Sequence, residues 1–85
     1  MAVQELAEGK RFIGLSQVRR ELLKGNVEKI FVAEDADDSI LSDILSLAGS
    51  QGIPVEQVGT MVELGRACAI SRGAATAALQ RKNRC

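Results

Sequence analysis

Ser16, Gln17, Arg19 and Arg20 crowd the start of a helical pattern that follows a short apolar segment and Gly14, in the stretch FIGLSQVRRELLKG over residues 12–25. The unpaired N–H groups of a helix's first turn, together with the positive end of its dipole, attract phosphate or an electronegative base edge. Two guanidinium groups strengthen that attraction, and a glutamine amide can hydrogen-bond a base.

Other chemistries lack their parts. There is no histidine, so a Ser–His–Asp or Cys–His mechanism is excluded. Two cysteines without a carboxylate or histidine at ligand spacing do not make a structural zinc site. Neither GxGxxG nor GxxxxGK[ST] occurs, and the glycines are scattered at element ends, which removes the main nucleotide-binding signals. The acidic run Glu34-Asp35-Ala36-Asp37-Asp38 lacks the alternating oxygen ligands and terminal glutamate of a calcium loop. Capping of a following helix by Asp and Ser explains it better, because acids complement the dipole there. Phe12 and Phe31 are the only aromatic residues, too few for platforms on which single-stranded bases stack. No enzyme activity, metal or cofactor is expected.

Formal net charge is zero, but it is unevenly spread. Residues 34–43 hold five acids and no base, whereas residues 64–85 hold five bases and no acid. Residues 9–24 add Lys10, Arg11, Arg19, Arg20 and Lys24 against the single acid Glu21. A neutral chain can thus present one basic and one acidic face, although ordinary solvated helix surfaces would leave the same pattern. Cys68 sits inside an apolar helical pattern and Cys85 at the last residue, which does not resemble a disulfide framework and suits a reducing cytoplasm. No run is long and apolar enough for a signal peptide or a membrane span, so a cytoplasmic protein without membrane contact is expected.

Periodicity places these residues. A chain of 85 residues allows one domain with a modest core. Val3–Ala7 reads as a short helix ended by Gly9, and Phe12–Ile13 as a strand. Leu15, Val18 and Leu22 share one helical face, with Gly25 as the stop. Lys29–Ala33 is a near-continuous apolar run, the pattern of a strand buried on both faces. A helix follows from about Asp38 to Gln51, with Ile40, Leu41, Ile44, Leu45, Leu47 and Ala48 facing inward. Gly52 ends it, and Pro54 opens a strand over Val55–Val58. Thr60-Met-Val-Glu63 matches a capping box ahead of a helix whose inner face includes Met61, Leu64 and Cys68. AATAAL is a final strand or a buried extended segment, and residues 80–85 read as a frayed tail. Such alternation implies an α/β protein, a three-layer α/β/α sandwich around a parallel or mixed sheet of about four strands.

Four motifs in order, GLSQVRR, VAEDADD, GIPV and ELGRACAISRGAA, are similar to the kink-turn RNA-binding family of the archaeal large-subunit ribosomal protein L7Ae and the eukaryotic ribosomal protein L30e. The resemblance runs from about Arg11 to Leu79 and is closest to the short bacterial homologues. It implies the same sandwich fold and binding, as a monomer, to a sharply bent internal loop with tandem sheared G·A pairs, in ribosomal or regulatory RNA. It also implies association with the ribosome.

In that family the start of the helix after the first strand enters the widened groove, where an Asn-Glu pair and a Lys three residues later read guanines and backbone. Those positions fall on Ser16, Gln17 and Arg20, beside Gly14. Ser16 is shorter than Asn, and Gln17 lacks the carboxylate but keeps a carbonyl acceptor. Distortion matters because regular A-form RNA hides its base edges in a deep, narrow groove. Arg19 is open between a phosphate contact and a plain surface arginine, and Lys24 adds a weaker charge one turn on. The resemblance implies a second contact at Ile70-Ser71-Arg72, where an apolar side chain lies near an extruded nucleotide and an arginine meets the backbone. Ile70 can equally be core. Glu34 falls where the family carries an acid near the RNA, with local structure as its other role. The alternative function is a protein-interaction or ribosome-assembly module of this fold in which RNA recognition is weakened or lost.

Overall fold

The computed structural model describes residues 11–68, 70–71 and 73–81. Its elements are β1 (Arg11–Ile13), α1 (Leu15–Leu23), β2 (Val27–Ala33), α2 (Asp38–Gln51), β3 (Val55–Val58), α3 (Met61–Ala67) and β4 (Thr76–Gln80). The helix expected at Val3–Ala7 lies outside the described residues.

The four strands form one mixed sheet in the order β1-β4-β2-β3. β4 lies antiparallel to both β1 and β2, with Phe12 opposite Ala78 and Phe31 opposite Ala77. β2 and β3 are parallel and joined through α2, with Ile30 opposite Val55. The last strand in sequence is therefore central in space. Its composition suits that place, since Thr76, Ala77, Ala78 and Leu79 are all buried and small side chains let the flanking layers approach closely. Thr76, the one hydroxyl among them, donates to the Phe31 carbonyl at 2.9 Å, which meets the rule that a buried polar group needs a partner.

β2 is buried from Ile30 to Ala33 on both faces, as its unbroken apolar run implies. α1 and α2 lie against each other, α1 also meets β1, β2 and β4, and α3 packs on β2, β3 and β4. This is the expected α/β/α sandwich. Val18, Leu22, Ile30, Phe31, Ile44, Leu64 and Cys68 are completely buried and form its centre.

Local signals set the helix ends. Asp37 caps α2 by accepting from the Ser39 N–H at 3.0 Å, and Gly52 closes it in the left-handed conformation at φ 68°. Thr60 accepts from the Glu63 N–H at 3.0 Å at the start of α3, which is half of the capping box. The other half differs, because the Glu63 carboxylate lies over Gly59, where an added Cβ would meet its Oε2 at 3.2 Å.

Three other expectations need correction. Ile40 and Leu45 are 44% and 41% exposed, so the inner face of α2 is the narrower stripe of Leu41, Ile44 and Ala48, with Leu47 partly buried. One neighbouring helix and one sheet cover only that stripe; Met61 likewise turns outward from the inner face of α3. The expected frayed tail begins too early. Gln80 belongs to β4, and the Arg81 N–H donates to the Asn26 carbonyl at 2.9 Å. Residues 82–85 lie outside the described residues.

Candidate nucleic-acid interface

Gly14 is the hinge on which the site is built. Its φ of 96° and ψ of 154° belong to a region open almost only to glycine, and they turn the chain from β1 into α1 within one residue. Its N–H donates to the Thr76 carbonyl at 3.0 Å, pinning the start of α1 to β4. Having no side chain, Gly14 makes no side-chain capping bond, and the first turn contains no acid. Among the described residues no side chain therefore takes up the donors or the positive dipole end of the α1 N-terminus.

Other candidate segments reach the same pole of the sheet. The Ala33 N–H donates to the Ala75 carbonyl at 2.9 Å, and the Glu34 N–H to the Val58 carbonyl at 2.8 Å. Glu34, exposed, thus sits where β2 leaves the sheet. The loop before β4 is held against α3, since the Ala74 N–H donates to the Met61 carbonyl at 3.0 Å. A Cβ on Gly73 would lie 3.3 Å from the Met61 Cβ, so the approach there is close. Ser71 is exposed; Arg72 lies outside the described residues. Ile70 is half-buried against the core, and its N–H donates to the Gly65 carbonyl.

On α1, Ser16 is exposed at the second helical position. Gln17 is half-buried, and its Oε1 accepts from the Ile13 N–H at 3.1 Å. The carbonyl acceptor expected to face a base is thus engaged inside the protein, and the outward group is the amide nitrogen. Gln17 occupies the third helical position, from which Glu or Gln side chains reach back to orphan N–H groups. That spacing carried the signal.

The cations divide into three kinds. The Arg19 Nε donates to Asp43 Oδ2 on α2 at 2.9 Å, which turns Arg19 along the helix pair. Arg20 is 65% exposed and, among the described residues, forms an ion pair only with Glu21, at 4.0 Å, so its guanidinium is available on the flank that carries Ser16 and Gln17. Lys24 caps the far end of α1, about 13 Å from its start for nine residues of helix. There it lies 3.8 Å from Glu21. It also borders an open groove of about 900 Å³ with Asn26, Gln51, Pro54 and Arg81, at the opposite pole.

Several acids have structural partners. Asp35 Oδ1 accepts from the Met61 N–H at 2.8 Å, acting as a distant cap for α3. Hydrogen bonds from the Ser39 N–H and hydroxyl hold the Asp37 carboxyl below the usual carboxylate range. Glu21, nearly buried, accepts from Asn26 Nδ2 at 3.0 Å and closes the turn after α1. Sequence reading missed the Asp35–Met61 and Arg19–Asp43 links, whose partners stand 26 and 24 residues apart. Among the described residues no group of three or more acidic or cysteine side chains could hold a metal ion. No described helix is long and apolar enough to cross a membrane.

The chain has relatives among known proteins. The chain is 41% identical over 76 residues to an RNA-binding protein of Geobacillus sp. (strain WCH70), covering 89% of this chain and 93% of that one. It is 36% identical over 67 residues to the large ribosomal subunit protein eL8 of Halobacterium salinarum, covering 78% of this chain and 56% of that one. The fold matches the Giardia lamblia 15.5kD RNA binding protein at a TM-score of 0.87 and 22% identity, over 96% of this chain and 72% of that one. The model of the ribosomal protein L7Ae/L30e/S12e/Gadd45 family matches residues 2–85, nearly the whole sequence. By that match and by its bacterial relatives, this chain belongs to the ribosomal protein L7Ae/L30e/S12e/Gadd45 family.

Proposed function

We propose that this protein binds RNA without catalysis and recognises kink-turns, the bent internal loops with tandem sheared G·A pairs, in the cytoplasm and in association with the ribosome. The observation that carries the reading is the α1 N-terminus, uncapped and bordered by exposed Ser16 and Arg20 and by the outward amide of Gln17. It offers several donors on a surface narrow enough for a widened groove and too short of aromatics for base stacking. RNA binding by relatives of similar length supports the same reading.

Ser71 and Arg72 supply the second contact, with Ile70 beside an extruded nucleotide and Arg72 on a phosphate. A helix terminus alone grips one side of a bent RNA, so a second point of attachment fixes its angle. A gel-shift titration tests the proposal. A kink-turn duplex should bind more tightly than the same duplex with its G·A pairs replaced by Watson–Crick pairs, and binding should weaken with salt at a slope of only a few phosphates. Equal affinity for the two duplexes would leave the fold with the interaction-module function instead.

A further inference from the structure

We infer that Gln17 reads RNA as a hydrogen-bond donor, through its amide nitrogen, and so selects an acceptor: the O6 edge of guanine or a phosphate oxygen. The inference rests on the RNA-binding function proposed above.

It follows from the register of β1. Gly14, opposite Thr76, donates to it, so in an antiparallel ladder the alternate residue Ile13 belongs to a non-hydrogen-bonded pair with Ala77. The Ile13 N–H therefore points away from β4, off the edge of the sheet. An edge N–H needs a partner, and Gln17 Oε1 supplies it at 3.1 Å. Only an acceptor can face that N–H, which removes the usual ambiguity between amide oxygen and nitrogen. Nε2 is thereby turned away from Ile13, and its two hydrogens have no partner among the described residues.

The neighbours reinforce the polarity. The N–H groups of the first turn and the Arg20 guanidinium are donors, and Ser16 is the one side chain there that can accept. A glutamate at position 17 could serve Ile13 with one carboxylate oxygen while turning the other outward. The outward group would then be an acceptor. Glutamine and glutamate thus hold the strand edge equally well and read opposite base edges.

The experiment compares wild type, Gln17→Glu and Gln17→Ala on the kink-turn duplex and on its Watson–Crick counterpart. Gln17→Glu should melt near the wild type and keep the Ile13 amide protected in hydrogen exchange, and Gln17→Ala should expose it. On the kink-turn, Gln17→Ala should lose several-fold in affinity, with a smaller loss on the control duplex, whereas Gln17→Glu, which restores the family's acceptor, should bind through guanine N–H groups and not through O6. Replacing the G·A guanines by 6-thioguanine exchanges O6 for a weakly accepting sulfur, keeps N1–H and leaves every phosphate in place. If wild type then weakens and Gln17→Ala does not, the acceptor is the base; an equal drop in both assigns the donated bond to a phosphate. Kink-turn binding by Gln17→Ala as tight as wild type overturns the inference, as does an unprotected Ile13 amide in the wild type. A wild type that cannot tell the two duplexes apart instead removes the underlying RNA-recognition function, and the donor role with it.

Discussion

Arg19 and Asp43 join α1 to α2 through a hydrogen-bonded ion pair of 2.9 Å, and both side chains are at least half exposed. Exposed pairs of this kind contribute about 0.5 kcal/mol or less, so Asp43→Asn should hardly shift the melting temperature. It should, however, release the Arg19 guanidinium from its partner. RNA affinity should then rise about two- to threefold, equally for kink-turn and control duplexes, because a freed charge attracts phosphates without reading bases. Filter binding at two salt concentrations measures this, and a gain confined to the kink-turn would make Arg19 a reader.

Among the described residues Arg20 has only a 4.0 Å ion pair with Glu21 to give up. Arg20→Ala should weaken kink-turn binding by about 1–3 kcal/mol if the guanidinium meets guanine or phosphate in a charge-assisted bond. Circular dichroism should be unchanged. An unaltered dissociation constant would make it a plain surface residue.

Asp37 ties stability to pH. Its folded carboxyl is held below the ordinary value by the two Ser39 hydrogen bonds, so the unfolded chain takes up a proton first as the medium is acidified. The stabilisation is complete above the ordinary carboxylate range and is lost as pH falls through the depressed folded value. Asp37→Asn, which still accepts from Ser39 but does not titrate, should flatten that part of the curve. Thermal melts between neutral and acidic pH would show it, and parallel curves for the two proteins would contradict the assignment.

Cys68 has no exposed surface, and burial pushes its thiol upward despite the nearby Arg11 guanidinium. A thiol reagent should modify it only on unfolding, and rapid modification of the native protein would contradict its burial. Since the folded thiol holds its proton longer than the unfolded one, stability should fall as pH rises through the ordinary thiol range.

Ile70 tests the loop. Its side chain is partly buried against the core, so Ile70→Ala should cost about 1–2 kcal/mol of stability. Measured well below the melting temperature, its kink-turn affinity should also fall through loss of the contact to an extruded nucleotide. Unchanged affinity with reduced stability would assign the side chain to the core alone.

The helix Asp38–Gln51, its Asp37 cap, its Gly52 stop and the buried strand after Lys29 were legible because each depends on residues a few positions apart. Backbone donors, dipoles and side-chain periodicity act over one or two turns, and composition records them. The Gln17–Ile13 bond was legible in principle too, since it depends on where the helix starts. Contacts between distant segments left no such trace. That β4 lies between β1 and β2, that Asp35 caps α3, that Asp43 takes up Arg19, and that Ile40 and Leu45 face outward all depend on how the layers meet.

By itself the sequence determined the elements, the absence of histidine chemistry and the cluster of donors at residues 16–20. Only the tertiary structure decided which donors remain free. A guanidinium or an amide has the same chemistry wherever it stands in the chain, but one hydrogen bond from a neighbour 24 residues away removes it from the interface, as for Arg19. Likewise, the direction of one edge N–H turns an acceptor inward and leaves a donor outside, as for Gln17.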